Sequence, residues 1–264
     1  MFQCCQSPLR RGIRYIASLG LSAEVAGIVR MRGLAINLPG TIYGFNDIHG
    51  PDPLFFIVTF IGFIFCLSLH EAAHAFCAYR LGDTGPRSAG RISLSPFAHI
   101  DPLALILGMF LSLGVIPIAW TKPVPVNVSR LRGGRFSETI VAFSGPLVNV
   151  LLGFVLALIL RYSGIPINDR SALGILGQIL LYLCQLNLIL FAFNLIPIPP
   201  LDGWGILRGI LPQRWIVKMY WLELYGPLIL LAFIFFVPFL IRYDLLGQLG
   251  WLIANFVNNF VYGL

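Results

Sequence analysis

The chain has 264 residues, of which 58% are hydrophobic and only 11% charged, with a mean hydropathy of +0.85. Soluble domains carry about 25% charged residues, so these values exclude a water-soluble enzyme and indicate a polytopic integral membrane protein set in a lipid bilayer. The net charge of +7 does not signal nucleic-acid binding, because the basic residues sit in short connections between apolar runs, as in loops facing anionic lipid.

In chain order, residues 1–50 come first, and their first forty set Arg10, Arg11, Arg14, Arg30 and Arg32 against Glu24. They are basic and acid-poor like a targeting segment but have no compact apolar core. They read as a tail, followed by one membrane domain over 51–264. Pro53 to Ala78 carries no charge except Glu71 and exceeds the roughly 20 apolar residues a helix needs to cross a bilayer. Asp101 to Trp120 is shorter, contains Gly108, Gly114 and Pro117, and leads into "TKPVPVN", which suits a segment that re-enters rather than crosses. Further apolar spans cover Thr139–Leu160, Leu173–Ile196 and Leu224–Ile241, with a weaker one over Leu245–Tyr262. The expected fold is an all-α polytopic membrane protein of about 4–6 transmembrane helices, with a re-entrant segment and a short β-like loop. Cys4, Cys5, Cys66, Cys77 and Cys184 form no spaced framework, so disulfides are not expected to hold the fold. The oligomeric state is not legible.

The chemistry concentrates in "HEAAH". His70 and His74 lie four residues apart, which on a helix stacks both side chains on one face, one turn apart. Two imidazoles so placed can bind one metal, and Glu71, turned about 100° around the helix, can address a water beside it. This is the zinc-hydrolase pattern H-E-x-x-H, in which zinc lowers the pKa of its water and the glutamate accepts a proton. The competing reading is a chance match with hydrogen-bonded core histidines. Ionisable groups at membrane depth cost roughly 2.5–3.5 kcal/mol each even on the mildest scale, which favours the metal.

A catalytic zinc usually has three protein ligands. Cys77 and Arg80 stand where a metzincin extension requires Gly and His, and neither Glu138 nor Glu223 lies in the context of a thermolysin-like third ligand. Asp202, at the end of the proline-broken "FNLIPIPPLDG", is the better candidate. The alternative is that the prolines end a span and Asp202 caps the following helix. Cys66 and Cys77 fall near the metal face, but as ligands they would close the site, so packing is the expected role. His49 and His99 lie in loops with no supporting spacing.

Together, "HEAAH", "SGPLVN" (Ser144–Asn149) and "NLIPIPPLDG" (Asn194–Gly203) resemble the three signatures of the site-2 protease family of intramembrane zinc metalloproteases. The connecting "RLGDTGPRSAGRISLSPFAHIDPL" and "TKPVPVN" are similar to its compact bacterial-type branch, which lacks PDZ and CBS domains, and the resemblance covers about Leu54 to Pro212. It implies one zinc ion held by His70, His74 and Asp202, Glu71 as general base, and Asn149 and Asn194 near the cleft, holding the substrate strand or the oxyanion. It implies cleavage of a peptide bond in or near a transmembrane segment of a membrane-embedded protein substrate, to release a regulatory domain or clear a signal-peptide remnant. The rival functions are a metal-ion transporter with a midplane transit site and a catalytically silent membrane scaffold.

The metal reading also fixes topology. HEAAH lies toward the C-terminal end of its span and Asp202 just past the end of another, so the two spans must run in the same direction. One of the two apolar segments between them must then re-enter, and Asp101–Trp120 is the expected one. Arg87, Arg91, Lys122, Arg130, Arg132, Arg135, Arg208, Arg214 and Lys218 then share one side, the cytoplasmic side of a prokaryotic cell membrane by the positive-inside rule.

Overall fold

The computed structural model describes residues 53–99, 124–163, 174–241 and 245–262. The chain divides into Met1–Leu38 and Pro39–Leu264, and every described residue belongs to the second unit. The tail over 1–50 and the re-entrant segment Asp101–Trp120 lie outside the described residues.

Among the described residues the fold is helical, without a strand. Helix α1 spans Pro53–Arg80, α2 Gly85–Ser88, α3 Arg135–Tyr162, α4 Gly174–Asn194, α5 Asp202–Ile210, α6 Gln213–Lys218, α7 Tyr220–Ile241 and α8 Leu245–Tyr262. Among the described residues three helices are long and apolar enough to cross a membrane, namely α1 from Phe60, α3 and α4. This is an all-α membrane protein.

Lipid tails give apolar side chains no reason to leave them, so helices gather where small residues allow close packing. Gly62 of α1 receives Leu183 of α4, and Gly153 of α3 receives Leu188 of α4. These contacts fix the directions. Positions 62 and 66 of α1 meet 183 and 187 of α4, so α1 and α4 are parallel. Positions 70 and 74 meet 149 and 141 of α3, which therefore runs antiparallel to both. The shared direction that a joint metal site demands is the one observed.

The two ends flanking residues 100–123 meet. α1 closes in a Schellman turn, with Asp83 N–H donating to Ala78 O and Gly82 N–H to Tyr79 O, both at 3.0 Å. The fully buried Asp83 carboxylate accepts from Gly85 N–H at 2.9 Å and from Asn127 N–H at 2.7 Å, while Arg132 N–H donates to Leu81 O at 2.7 Å. Residues 81–85 and 125–132 are thereby sewn together at the end of α1 where α3 begins. At the other end of α3, α8 packs Val257 and Val261 against Leu160, Leu181 and Cys184.

After Asn194 the prolines Pro197, Pro199 and Pro200 deny further helical hydrogen bonds, and the chain turns sharply before α5. A Cβ on Gly203 would lie 2.5 Å from the Leu195 carbonyl carbon and collide with the Leu195 and Ile196 oxygens. Only glycine lets α5 fold back this tightly. α7 then covers the turn, packing Leu230 and Ile234 with Phe193 and Leu201.

Cysteines introduced at the exposed Arg87 and Ser129 are expected to react with a membrane-impermeant maleimide from the same face of the membrane, and one at Ser163 from the opposite face. Labelling of Arg87→Cys and Ser129→Cys from opposite faces would contradict this topology.

Candidate metal centre and cleft

Four residues make one helical turn, and in α1 that turn brings His70 Nε2 to 3.1 Å from His74 Nε2, with the rings edge to face at a centroid distance of 4.7 Å. α5 delivers the third group from the parallel side. Asp202 Oδ2 lies 3.0 Å from His70 Nε2, and Oδ1 lies 3.3 Å from His74 Nε2. The alternative capping role fails here: α5 is preceded by Leu201 at its N-cap, with no side-chain cap, and Asp202 is already helical.

The three groups fit a metal. Both imidazoles are engaged at Nδ1 by oxygen, His74 with Val141 O at 2.8 Å and His70 with Asn149 Oδ1 at 2.5 Å. Each Nε2 therefore faces inward. Asp202 Oδ2 is buried and accepts no hydrogen bond of its own. Two nitrogen lone pairs and a carboxylate at 3.0–3.3 Å repel one another unless a cation lies among them. Tetrahedral zinc with ligand bonds of about 2.0–2.1 Å separates its ligands by about 3.3 Å, within a few tenths of what is seen. Among the described residues this is the one such group of His, Cys, Asp or Glu side chains.

α3 forms the floor. A Cβ on Gly145 would stand 2.6 Å from His74 Cε1 and 2.7 Å from His70 Cε1, so this glycine sets how near α3 comes to both imidazoles. The sequence reading assigned a role in "SGPLVN" only to Asn149, and close approach of a helix is a signal it lacked.

Glu71 is buried beside the metal group and lines a cleft of about 280 Å³ together with His70, His74, Asp202 and Asn194. Asn194 donates from Nδ2 to Leu190 O at 3.0 Å, one turn back. Asn149, expected near the substrate, is instead fully buried on the far side of His70 and is not part of the cleft wall. Its motif position fixed its neighbourhood, and the face of α3 it occupies turns it inward. Val124, Val126 and Val128 form another wall.

The cleft also holds charges that sequence reasoning set aside. Glu138 of α3 and Glu223 of α7 grip Arg208 of α5: Arg208 Nε donates to Glu138 Oε1 at 2.5 Å and Nη1 to Glu223 Oε1 at 2.9 Å, with a closer Nη2–Glu138 ion pair. Half-burial would push the Arg208 guanidinium down, but its bonds to Glu138 and then Glu223 outweigh burial and hold it above the ordinary arginine value. Trp204 Nε1 also donates to Glu223, at 3.2 Å. Cys66 and Cys77 stay outside the metal group, engaged with Asn187 and the Ile140 carbonyl. His99 is buried in its loop, donating to Ser93 O at 2.8 Å, and His49 lies outside the described residues.

The chain is 35% identical over 175 residues to the Bacillus subtilis protein named "Putative zinc metalloprotease YwhC", covering 65% of this chain and 77% of that one. Identity is 33% over 156 residues with "Putative zinc metalloprotease Rip2" of Mycobacterium tuberculosis, covering 58% and 57% respectively. It is 29% over 165 residues with "Zinc metalloprotease MJ0392" of Methanocaldococcus jannaschii, covering 62% of this chain and 37% of that protein. The chain thus matches little more than half the length of Rip2 and about a third of MJ0392. No family model matches the chain, and no solved structure matches it.

Gly145→Ala is expected to lower zinc uptake at least tenfold while leaving helical content unchanged, measured by metal analysis and circular dichroism of the purified chain. Full zinc uptake by the variant would contradict the close approach of α3.

Proposed function

The chain belongs to the site-2 protease family of zinc metalloproteases, and on that premise we propose that it hydrolyses a peptide bond within or beside a transmembrane segment of a membrane protein. The observation that carries this reading is the convergence of His70 and His74 of α1, a helix apolar enough to cross a membrane, with Asp202 of the short helix α5, beside Glu71. His70 and His74 through Nε2, and Asp202 through its carboxylate, would hold zinc. When bound, the ion supplies Lewis acidity, which brings water within reach of deprotonation near neutral pH.

The remaining steps fall to side chains and backbone. The Glu71 carboxylate takes the proton of the attacking water and passes it to the leaving amide nitrogen. Asn194, with one amide hydrogen given to Leu190 O, offers the other to the carbonyl oxygen as negative charge develops on it. A transmembrane helix hides its carbonyls in its own hydrogen bonds, so the substrate must unwind before attack. Residues 124–128 suit an unwound partner. Val124, Val126 and Val128 line the cleft in alternation, while Asn127 N–H is spent on Asp83 and the Pro125 carbonyl faces Gly85. In an extended chain main-chain groups alternate between edges. Those of Val124 and Val126 then face the open edge, where a substrate strand adds by β-augmentation.

Release of a regulatory domain or clearance of a signal-peptide remnant is the cellular role this chemistry serves. Arg80, Arg87, Arg130, Arg132, Arg135, Arg208, Arg214 and Lys218 cluster toward the HEAAH end of the fold, and the positive-inside rule assigns that end to the cytoplasmic face of the cell membrane.

Glu71→Gln is expected to keep about one zinc per chain and lose cleavage of single-span model substrates by a factor of about 10²–10⁴. Retention of wild-type cleavage rates would overturn the assignment of the base. Val126→Pro, which removes one open-edge N–H, is expected to reduce cleavage of membrane-spanning substrates at least tenfold with zinc content unchanged. Unchanged cleavage by that variant would remove the strand-addition step.

A further inference from the structure

Asn149 of α3 and Asn187 of α4 are both fully buried. Burying an amide without partners is costly, so two of them side by side at membrane depth call for an explanation. They form a chain that ends on a metal-centre histidine. Asn187 Nδ2 contacts Leu183 O at 2.8 Å and Cys66 Sγ at 3.1 Å, Asn149 Nδ2 contacts Asn187 Oδ1 at 3.1 Å, and Asn149 Oδ1 contacts His70 Nδ1 at 2.5 Å.

The direction of this chain is dictated from one end. A backbone carbonyl only accepts, so the Asn187 atom facing Leu183 O is its nitrogen. The Asn187 oxygen therefore faces Asn149 and needs a donor, which turns the Asn149 nitrogen toward Asn187 and its oxygen toward His70. His70 Nδ1 must then carry the hydrogen, and in the neutral imidazole its Nε2 is left as a bare lone pair aimed at Asp202 and His74. For His74 the same outcome follows in one step, because its Nδ1 meets the Val141 carbonyl directly at 2.8 Å.

We propose that Asn187, acting through Asn149, fixes the Nδ1–H tautomer of His70 and so keeps Nε2 free for the metal, which makes both asparagines positioning residues. The proposal rests on the reading of His70 as a zinc ligand. Outer partners of this kind typically change metal affinity by 10–100-fold. It also separates orientation from packing. A carboxylate at position 149 has no donating face, so it accepts from His70 Nδ1–H whichever way it turns and needs no help from Asn187.

The experiment measures zinc affinity of the full chain by competition with a chromogenic chelator, in four forms: wild type, Asn187→Leu, Asn149→Asp and the double variant. Asn187→Leu is expected to weaken zinc binding by about 10–100-fold in the wild-type background and not to weaken it in the Asn149→Asp background, where the Asn187 oxygen meets a carboxylate and gives no support. An equal loss in both backgrounds, or wild-type affinity in Asn187→Leu, would overturn the relay. Imidazole ¹⁵N spectra of the zinc-free wild-type chain provide a second arm that needs no variant to fold. Recorded at a pH where the imidazoles are neutral, His70 and His74 should both show the Nδ1–H tautomer, and an Nε2–H tautomer at His70 would overturn the proposal. A wild-type chain that takes up no zinc would overturn the metal reading beneath the proposal, while the spectra still decide the relay.

Discussion

Two imidazole nitrogens and a carboxylate held at 3.0–3.3 Å from one another are the arrangement on which the rest of this structure depends. In a low-dielectric interior three facing lone pairs are costly, and helices free to move would separate them. Each partner is therefore restrained by a different element. α3 presses against the imidazoles over Gly145 and presents the Val141 carbonyl to His74, α4 backs His70 through two buried amides, and α5 arrives from a turn that only Gly203 permits.

Asp202 sits at the start of a helix of nine residues, too short to hold its position alone. Its anchorage is polar and comes largely from the first turn of α3. Arg135 Nη2 donates to Arg208 O at 2.7 Å and to Leu211 O at 2.6 Å, which satisfies carbonyls at the C-terminal end of α5, and Thr139 Oγ1 donates to Ile206 O at 3.1 Å. The Glu138–Arg208 pair adds a buried ionic tie, and Glu223 extends it to α7. The helix that supplies the third group is thus tied to α3 by charge and hydrogen bonds, in addition to the close approach that Gly205 and Gly209 allow.

How far the sequence spoke depends on the kind of constraint. The span limits were legible because lipid imposes length and apolarity: α3 covers Arg135–Tyr162 where Thr139–Leu160 was read, and α4 covers Gly174–Asn194 where Leu173–Ile196 was read. The pairing of His70 with His74 was legible because helical period alone sets it, and the parallel course of α1 and α4 followed from requiring Asp202 at the same depth. Rotation of α3 about its own axis was not legible, so Asn149 was placed toward substrate when it faces the back of His70. Nor was the destination of Glu138 and Glu223, because Arg208 lies 70 residues from the first and 15 from the second and sequence alone gives no sign that they meet.

The parallel arrangement of α1 and α4 also orders events in time. The chain commits His70 and His74 to the membrane 132 residues before Asp202 (from 70 to 202), an interval of about 7 to 26 s at synthesis rates of about 5–20 residues per second. During that interval the two imidazoles have no carboxylate partner, and the turn that would bring one has not left the ribosome. A growing chain therefore carries two of the three groups of a metal centre past neighbouring nascent helices without being able to complete it. The assembled centre dates only from the folding back of α5, when the membrane helices that define the cleft are already in place.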